Sequence, residues 1–459
     1  MYATQRTSKQ PFSVPLILLF AACALLACIP GHRNPTKVFL LVTLSAIAFY
    51  VISQTNTGDP IIDLGLGSAI LIQVANALDS LYLTDPDTLV NFEQPESGGR
   101  ITQKPLKERI RWAFYLYTNI RGIGWAHEPA FLHPAPSRST PIRAFVIRRL
   151  FYALLCAAVE FISYVLLASN PALNTPGKVA FSAAPFHWRV MGTLAFGGAS
   201  SSRIFCVSCV VSAVVVGLGF STPERWPSLF GSPFQAWSVR QFWRKVWHQM
   251  LRKTLLSLSH FVITKIMRLP PPFPRSRLTS GTSKPTSSPS SNSPLQTLSK
   301  LLLVPMAFVF SGILHIGGEW MLLGYPGYGT LTFFCLQGLG VSIEVIAEKV
   351  WMRVYVGGAK DSQKSKVDKR ADPVRNGSAR NGKAINGVNG NGNGKEHTNG
   401  FKDHPAQGDP APALWLRVIG FLWTLTVFSY SVPYMIDPLL AFDMFVDPRF
   451  DLGMLVRGR

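Results

Sequence analysis

An imidazole within an apolar run of bilayer length is the feature of this chain that most needs a chemical explanation. His315 closes the run Val304-Pro305-Met306-Ala307-Phe308-Val309-Phe310-Ser311-Gly312-Ile313-Leu314. Insertion scales put ionisable side chains at mid-membrane at up to about 3 kcal/mol, so such residues usually face a partner, a cavity or a pathway. Ser311, His315 and Glu319 recur every fourth residue and share a helix face, and Gly312 and Gly318 leave room for another backbone or a ligand. On that face a neutral imidazole, with an unperturbed pKa of about 6.5, can take an alcohol's proton as the oxygen attacks a carbonyl. Glu319 can orient or charge-stabilise it. The same pattern also fits a histidine that hydrogen-bonds a neighbouring helix, with the glycines serving packing alone.

A second constellation is Gln241-Phe242-Trp243-Arg244-Lys245-Val246-Trp247-His248-Gln249-Met250-Leu251-Arg252-Lys253. Wound at about 100° per residue, Phe242, Trp243, Val246, Trp247, Met250 and Leu251 fall on one side. Arg244, Lys245, His248, Arg252 and Lys253 take the other. The pattern predicts one amphipathic helix lying in the membrane interface, its cationic face attracting anionic lipid or a phosphate-bearing substrate. His248 is solvated on that face. Arg121-Gly122-Ile123-Gly124-Trp125, with His127 and Glu128 behind it, lacks the third glycine and preceding strand of a nucleotide loop and reads as a turn near the membrane surface. The sequence holds no P-loop, no metal-ligand cluster and no nucleophile elbow. Cys206 and Cys209 form a lone CxxC without the second ligand pair of a zinc site.

These groups need elements to hold them, and the elements are membrane helices. Of 459 residues, 47% are hydrophobic and 15% charged, and the apolar ones are gathered in blocks. Blocks near spanning length run over Ser13–Ile29, Val38–Ser53, Ala144–Ala168, Ile204–Phe220, Leu301–Gly324, Tyr328–Val350 and Ala413–Tyr430. Ile61–Leu83, with Asp63 and Asp79, and the Gly/Ser-rich Val190–Ser200 either span, re-enter or pack inside the bundle. Pro270–Pro294, dense in Pro, Ser and Thr, and Lys360–Pro412, with its Asn-Gly repeats, are expected to be disordered loops. The net charge of +21 lies mainly between apolar blocks, as for loops facing anionic lipid, and no nucleic-acid motif accompanies it. Both linkers are basic and flank a pair of spans, so they should share the cytosolic side, leaving the Asn376-Gly377-Ser378 sequon unmodified.

In this order the pieces resemble the wax synthase-like branch of the membrane-bound O-acyltransferase superfamily, close to its fungal members that decorate terpenoid and meroterpenoid hydroxyls. Trp226-Pro227-Ser228-Leu229-Phe230-Gly231-Ser232-Pro233, continuing through Phe242-Trp243 to Trp247-His248, is similar to that branch's central block. Ser311-Gly312-Ile313-Leu314-His315 is similar to the segment with the superfamily's active-site histidine. Ala77-Leu78-Asp79-Ser80-Leu81-Tyr82-Leu83-Thr84-Asp85-Pro86 and Arg121-Gly122-Ile123-Gly124-Trp125 resemble N-terminal signatures of the fungal branch. The resemblance covers roughly Ile61 to Tyr434. It departs where relatives have a Gly-Arg-Arg-Trp run and this chain reads Arg244-Lys245-Val246-Trp247, and where Ile316-Gly317-Gly318-Glu319 replaces an immediate acidic neighbour.

The resemblance implies an all-α multi-pass bundle that moves acetyl from acetyl-CoA, a co-substrate rather than a resident cofactor, to a lipophilic alcohol of secondary metabolism. His315 is then the base, His248 polarises the thioester carbonyl and Glu319 assists. Trp243, Arg244, Lys245, Trp247 and Arg252 are the candidates for holding the coenzyme, the cations at its phosphates. Residues 1–60 form the N-terminal helices, 61–269 and 299–355 the acyltransferase core around a 270–298 loop, 356–412 the second loop and 413–459 the last helix and tail. The expected site is the endoplasmic reticulum membrane, with bilayer, acyl-CoA and acceptor as partners. Long-chain acyl transfer making a wax ester, and a transporter with His315 and Glu319 along its path, remain alternatives.

Overall fold

Proline and short polar caps start the main helices, and glycine ends the one that matters most. A computed structural model describes residues 9–91, 100–129, 135–174, 180–272, 293–351 and 413–442. Helix α1 is Val14–Ala27 and α2 is Asn34–Gln54, with Pro35 in its first turn. Helix α3, Pro60–Leu78, starts where the Asp59 carboxylate accepts the amides of Ile61 and Ile62 at 2.8 and 3.2 Å, and it continues as a π-turn over Asp79–Leu83. Next come α4 (Leu106–Thr118), α5 (Ile142–Ala168) and α6 (Phe186–Gly217). The short turn α7 (Val239–Gln241) runs into a π-turn, Phe242–Val246, and is followed by α8 (Arg252–Phe261). Helix α9, Pro294–Leu323, is capped by Ser293 and closed by Gly324 at φ +84°; α10 is Gly329–Trp351 and α11 is Leu414–Ile436. Among the described residues the strands are a two-residue parallel pair, Gln10–Pro11 with Thr55–Asn56.

Seven of these helices are long and apolar enough to cross a bilayer: α2, α3 with its π-turn, α5, α6, α9, α10 and α11 with the turn after it. One expectation changes and two open readings are resolved. Ser13–Ile29 holds a helix of 14 residues, short of the roughly 20 a straight crossing needs. Val190–Ser200 is no separate segment but the first half of α6, whose Gly198 sits directly against Ser163 of α5. Ile61–Leu83 does form a helix of crossing length, because its carboxylates are taken inside. Asp63 accepts the Thr57 amide and hydroxyl, both at 2.7 Å. Asp79 accepts the Thr84 hydroxyl at 2.6 Å and pairs with Lys253. The linker sequon at Asn376 and the interiors of both predicted loops lie outside the described residues.

The chain divides into Met1–Glu344 with Ile419–Arg459, and Val345–Val418. Of the latter, the end of α10 and the start of α11 are described. Inside the first unit α3 and α9 run antiparallel with their backbones almost touching. A Cβ on Gly67 would strike the Gly317 carbonyl, and one on Gly318 would strike the Leu64 carbonyl and Ser68 hydroxyl. Apolar residues cannot drive this pairing in lipid, so small residues that allow close van der Waals contact do. Gly318→Ala should therefore destabilise the detergent-solubilised protein by about 1–3 kcal/mol. Gly65→Ala, with open space around its Cβ, should leave the thermal midpoint unchanged or slightly higher; equal losses at both positions would contradict the packing described.

Candidate active site

The residues from Trp226 to His248 form a loop and turn held from both sides. Arg121 donates to the carbonyls of Pro227 and Ser228 at 2.7 and 2.8 Å, and Arg149 of α5 donates to that of Trp226. Both guanidinium groups are buried. The motif supplying Arg121 is a turn, as expected, with Gly122 and Gly124 at φ +65° and +78°. Its His127 ring occupies the space a side chain on Gly122 would need. At the far end the Gly231 amide donates to the Val246 carbonyl at 2.8 Å.

That bond is one reason the single amphipathic helix expected over Gln241–Lys253 does not form. The turn after Val239 is anchored by Glu344 of α10, whose carboxylate accepts the Val239 and Arg240 amides at 2.7 and 2.9 Å. Five residues then follow π geometry, and Trp247 leaves the helix at φ −75°, ψ +149°. Helical bonding resumes only at Arg252. The aromatic rings accordingly turn inward. Trp243 donates its indole N–H to Gln337 at 3.0 Å, and Gln337, wholly buried, donates to the Ser431 hydroxyl at 2.7 Å. Its ring meets Phe308 and Phe334 edge-on or tilted at 5.4 and 5.7 Å. Trp247 stacks on Phe242 at 5.6 Å.

His248 is half-buried rather than set on an open polar face. It lies between Phe230 and Trp247, with ring centroids 5.8 and 5.2 Å away, and its buried Nδ1 makes no hydrogen bond. Burial, then the neighbouring His315, then Arg121, lowers its pKa to about 3, so this imidazole is neutral at any physiological pH.

His315, on α9, packs its ring 4.8 Å from that of Phe334, which is buried on α10. Its Nδ1 lies 2.7 Å from the Ser311 carbonyl oxygen. A carbonyl only accepts, so Nδ1 carries the proton and Nε2 keeps its lone pair. The contribution of Ser311 is thus its backbone rather than its hydroxyl. The two histidines singled out in the sequence are near enough to influence one another, and the carbonyl bond fixes the tautomer of His315.

Glu319 goes elsewhere. Its carboxylate, wholly buried, accepts the Thr330 amide at 2.6 Å and lies against Gly327 and Gly329, capping the start of α10. It does not hold the imidazole. Among the basic candidates, Arg244 and Arg252 are exposed and Lys245 is half-buried. Desolvation and then the charge of Arg244 lower the pKa of Arg252. Gln337, Glu344 and Arg149 were missed; each is a polar residue inside an apolar block, the one signal that could have flagged them, though Arg148 stands beside Arg149 and Gln337 and Glu344 share a block. The cysteines are free, Cys206 and Cys209 included, and among the described residues no group of three or more His, Cys, Asp or Glu could hold a metal ion.

Residues 226–336 match the model of the membrane bound O-acyl transferase family, a segment that begins at the clamped Trp226 and contains His248, His315 and Phe334. The chain is 27% identical to the acetyltransferase ple2 of Rhodocybe pseudopiperita, over 73% of this chain and 81% of that protein. It is 25% identical to the acetyltransferase eriL of Hericium erinaceus, over 75% and 84%. With the O-mevalon transferase macI of Penicillium terrestre it shares 24% identity over 74% and 78%. No solved structure matches the chain.

The two low histidines set a pH dependence. Burial, then Lys253, also lowers His127 to about 3. Both rings are neutral when folded, while the unfolded chain protonates them near 6.5, so between about 6.5 and 3 the unfolded state binds more protons. Their stabilisation is complete above about 6.5 and fades as pH falls towards 3. Melting of the purified protein should drop by several degrees between pH 7.5 and 5, and less in His127→Asn; a flat profile would contradict the burial.

Proposed function

For this chain, a membrane-bound O-acyltransferase, we propose transfer of an acetyl group from acetyl-CoA to a hydroxyl of a terpenoid or meroterpenoid in secondary metabolism. The observation that carries the reading is the imidazole of His315, fixed by the Ser311 carbonyl with Nε2 free to accept a proton, beside a second imidazole held neutral. The acceptor's O–H gives its proton to Nε2 as the oxygen attacks the thioester carbonyl carbon. His248, able to donate N–H without itself being a cation, takes the oxyanion. The carbon–sulfur bond breaks, and the coenzyme A thiolate leaves with the proton that His315 had taken. Glu319 serves by seating α10, and thereby Phe334, against His315.

The exposed cations Arg244 and Arg252, with Lys245, bind the coenzyme's phosphates. Because α9 and α10 form a pair whose outer ends lead into the two basic linkers, both linkers lie on one side, the cytosolic side of the endoplasmic reticulum, where acyl-CoA arrives. Rings crowded beside His315 favour a short acyl group over the long chain of a wax ester.

Membranes containing the protein should transfer label from acetyl-CoA to a terpenoid alcohol and should use palmitoyl-CoA poorly. His315→Ala should abolish transfer at normal abundance, and surviving turnover would overturn the mechanism. His248→Ala should lower kcat by about 10²–10³. The double variant Arg244→Ala, Arg252→Ala should raise KM for acetyl-CoA about tenfold, the scale of one or two charge-assisted contacts, with kcat near that of the unaltered protein; an unchanged KM would remove the pair from the coenzyme site.

A further inference from the structure

The His248 imidazole has no hydrogen bond at Nδ1 to fix its direction, so its orientation rests on the rings packed against it. One of those, Phe230, belongs to a loop with no regular secondary structure between Trp226 and Gly231. Such a stretch ordinarily moves. Here three successive carbonyls are held: Trp226 by Arg149, Pro227 and Ser228 by the two terminal nitrogens of Arg121. Arg149 is itself seated over Phe145, 4.9 Å from its ring centroid. Beyond the clamp, the Ser228 hydroxyl donates to the Phe230 carbonyl at 2.9 Å, and Gly231 bonds Val246 at 2.8 Å. Phe230 is thus fixed on both sides.

We propose that Arg121, with Arg149 behind it, is a positioning residue for acyl transfer: by holding the carbonyls of Trp226, Pro227 and Ser228 it fixes Phe230 and, through Phe230, the direction of the His248 imidazole. Arg121 acts through the loop carbonyls it holds, Pro227 and Ser228. Only a planar guanidinium can reach two adjacent carbonyls with two parallel donors; a lysine ammonium is a point charge on a flexible stem. The inference rests on the role given above to His248.

The test is a double-mutant cycle on the full-length protein in membranes, using Arg121→Lys, Phe230→Leu and His248→Gln, singly and with His248→Gln as the shared partner. Arg121→Lys keeps the charge and loses the fork. It should lower kcat by about 10- to 100-fold, the cost of a small misplacement, with KM for acetyl-CoA and acceptor within about twofold. Phe230→Leu should do the same. Added to His248→Gln, neither should lower kcat further, because the group they position is already gone.

Additive losses would overturn the proposal, since the arginine would then act through some other group, as would full activity in Arg121→Lys. If Arg121→Lys does not accumulate, Phe230→Leu decides on the same criterion. Full activity in His248→Gln would remove the role of His248 itself. A kcat loss in Arg121→Lys alongside it would mark that failure as separate, and would equally exclude the route through His248.

Discussion

Everything in the site depends on how closely α9 can lie against α3. In lipid no hydrophobic force drives one apolar helix against another, so the contact must come from shape and from polar bonds between backbones. Gly67, Gly317 and Gly318 supply the shape: carbonyls of one helix occupy the space where side chains of the other would be. That contact leaves α9 no freedom to rotate. His315, three residues before Gly318, faces Phe334 and His248 instead of hydrocarbon. On the opposite side Gly312 lets α10 approach through Leu331, so the segment that carries His315 is gripped between two neighbours.

With water scarce, each charge that comes inside must be matched by a specific partner. Arg121 and Arg149 take backbone carbonyls, Lys253 takes Asp79, and Lys9 donates to the Met321 carbonyl at 2.8 Å, near the C-terminal end of α9. Glu319 and Glu344 each cap the start of a helical turn. The pairing is positional as well as energetic. Removing one member strands the other, which costs far more than the pair contributes. The polar residues of the core therefore tie specific segments together: the motif around Arg121 to the loop of Trp226, the end of α3 to the start of α8, and the turn before Trp243 to α10.

Much of this was legible in the sequence because it is local. Apolar block lengths gave the crossing helices, and an imidazole in such a block, flanked by glycines, pointed to His315. The helix expected over Gln241–Lys253 failed for a reason periodicity cannot register. Its 100° spacing was real, but Val246 gives its carbonyl to Gly231, Trp243 its indole to Gln337, and the preceding turn is anchored on Glu344, a hundred residues away in sequence. Long-range bonds outweighed a local pattern. Glu319 misled differently: four residues after His315 it shares the expected face, yet the tight turn into α10 offers its carboxylate an amide at bonding distance. The Arg121 motif was correctly read as a turn, and nothing in those five residues says that the arginine reaches Pro227 and Ser228.

The ion pair between Asp79 and Lys253 has a consequence for how the protein is made. The two residues are separated by 174 positions. At a synthesis rate of about 5–20 residues per second, Asp79 emerges from the ribosome roughly ten to thirty seconds before its counter-ion. Throughout that interval an acidic helix end must be sheltered by the translocation machinery or stay at the water boundary. The nascent chain should accordingly keep α3 out of its final seat until α8 and then α9 arrive, making acquisition of activity a late, all-or-none event of biogenesis.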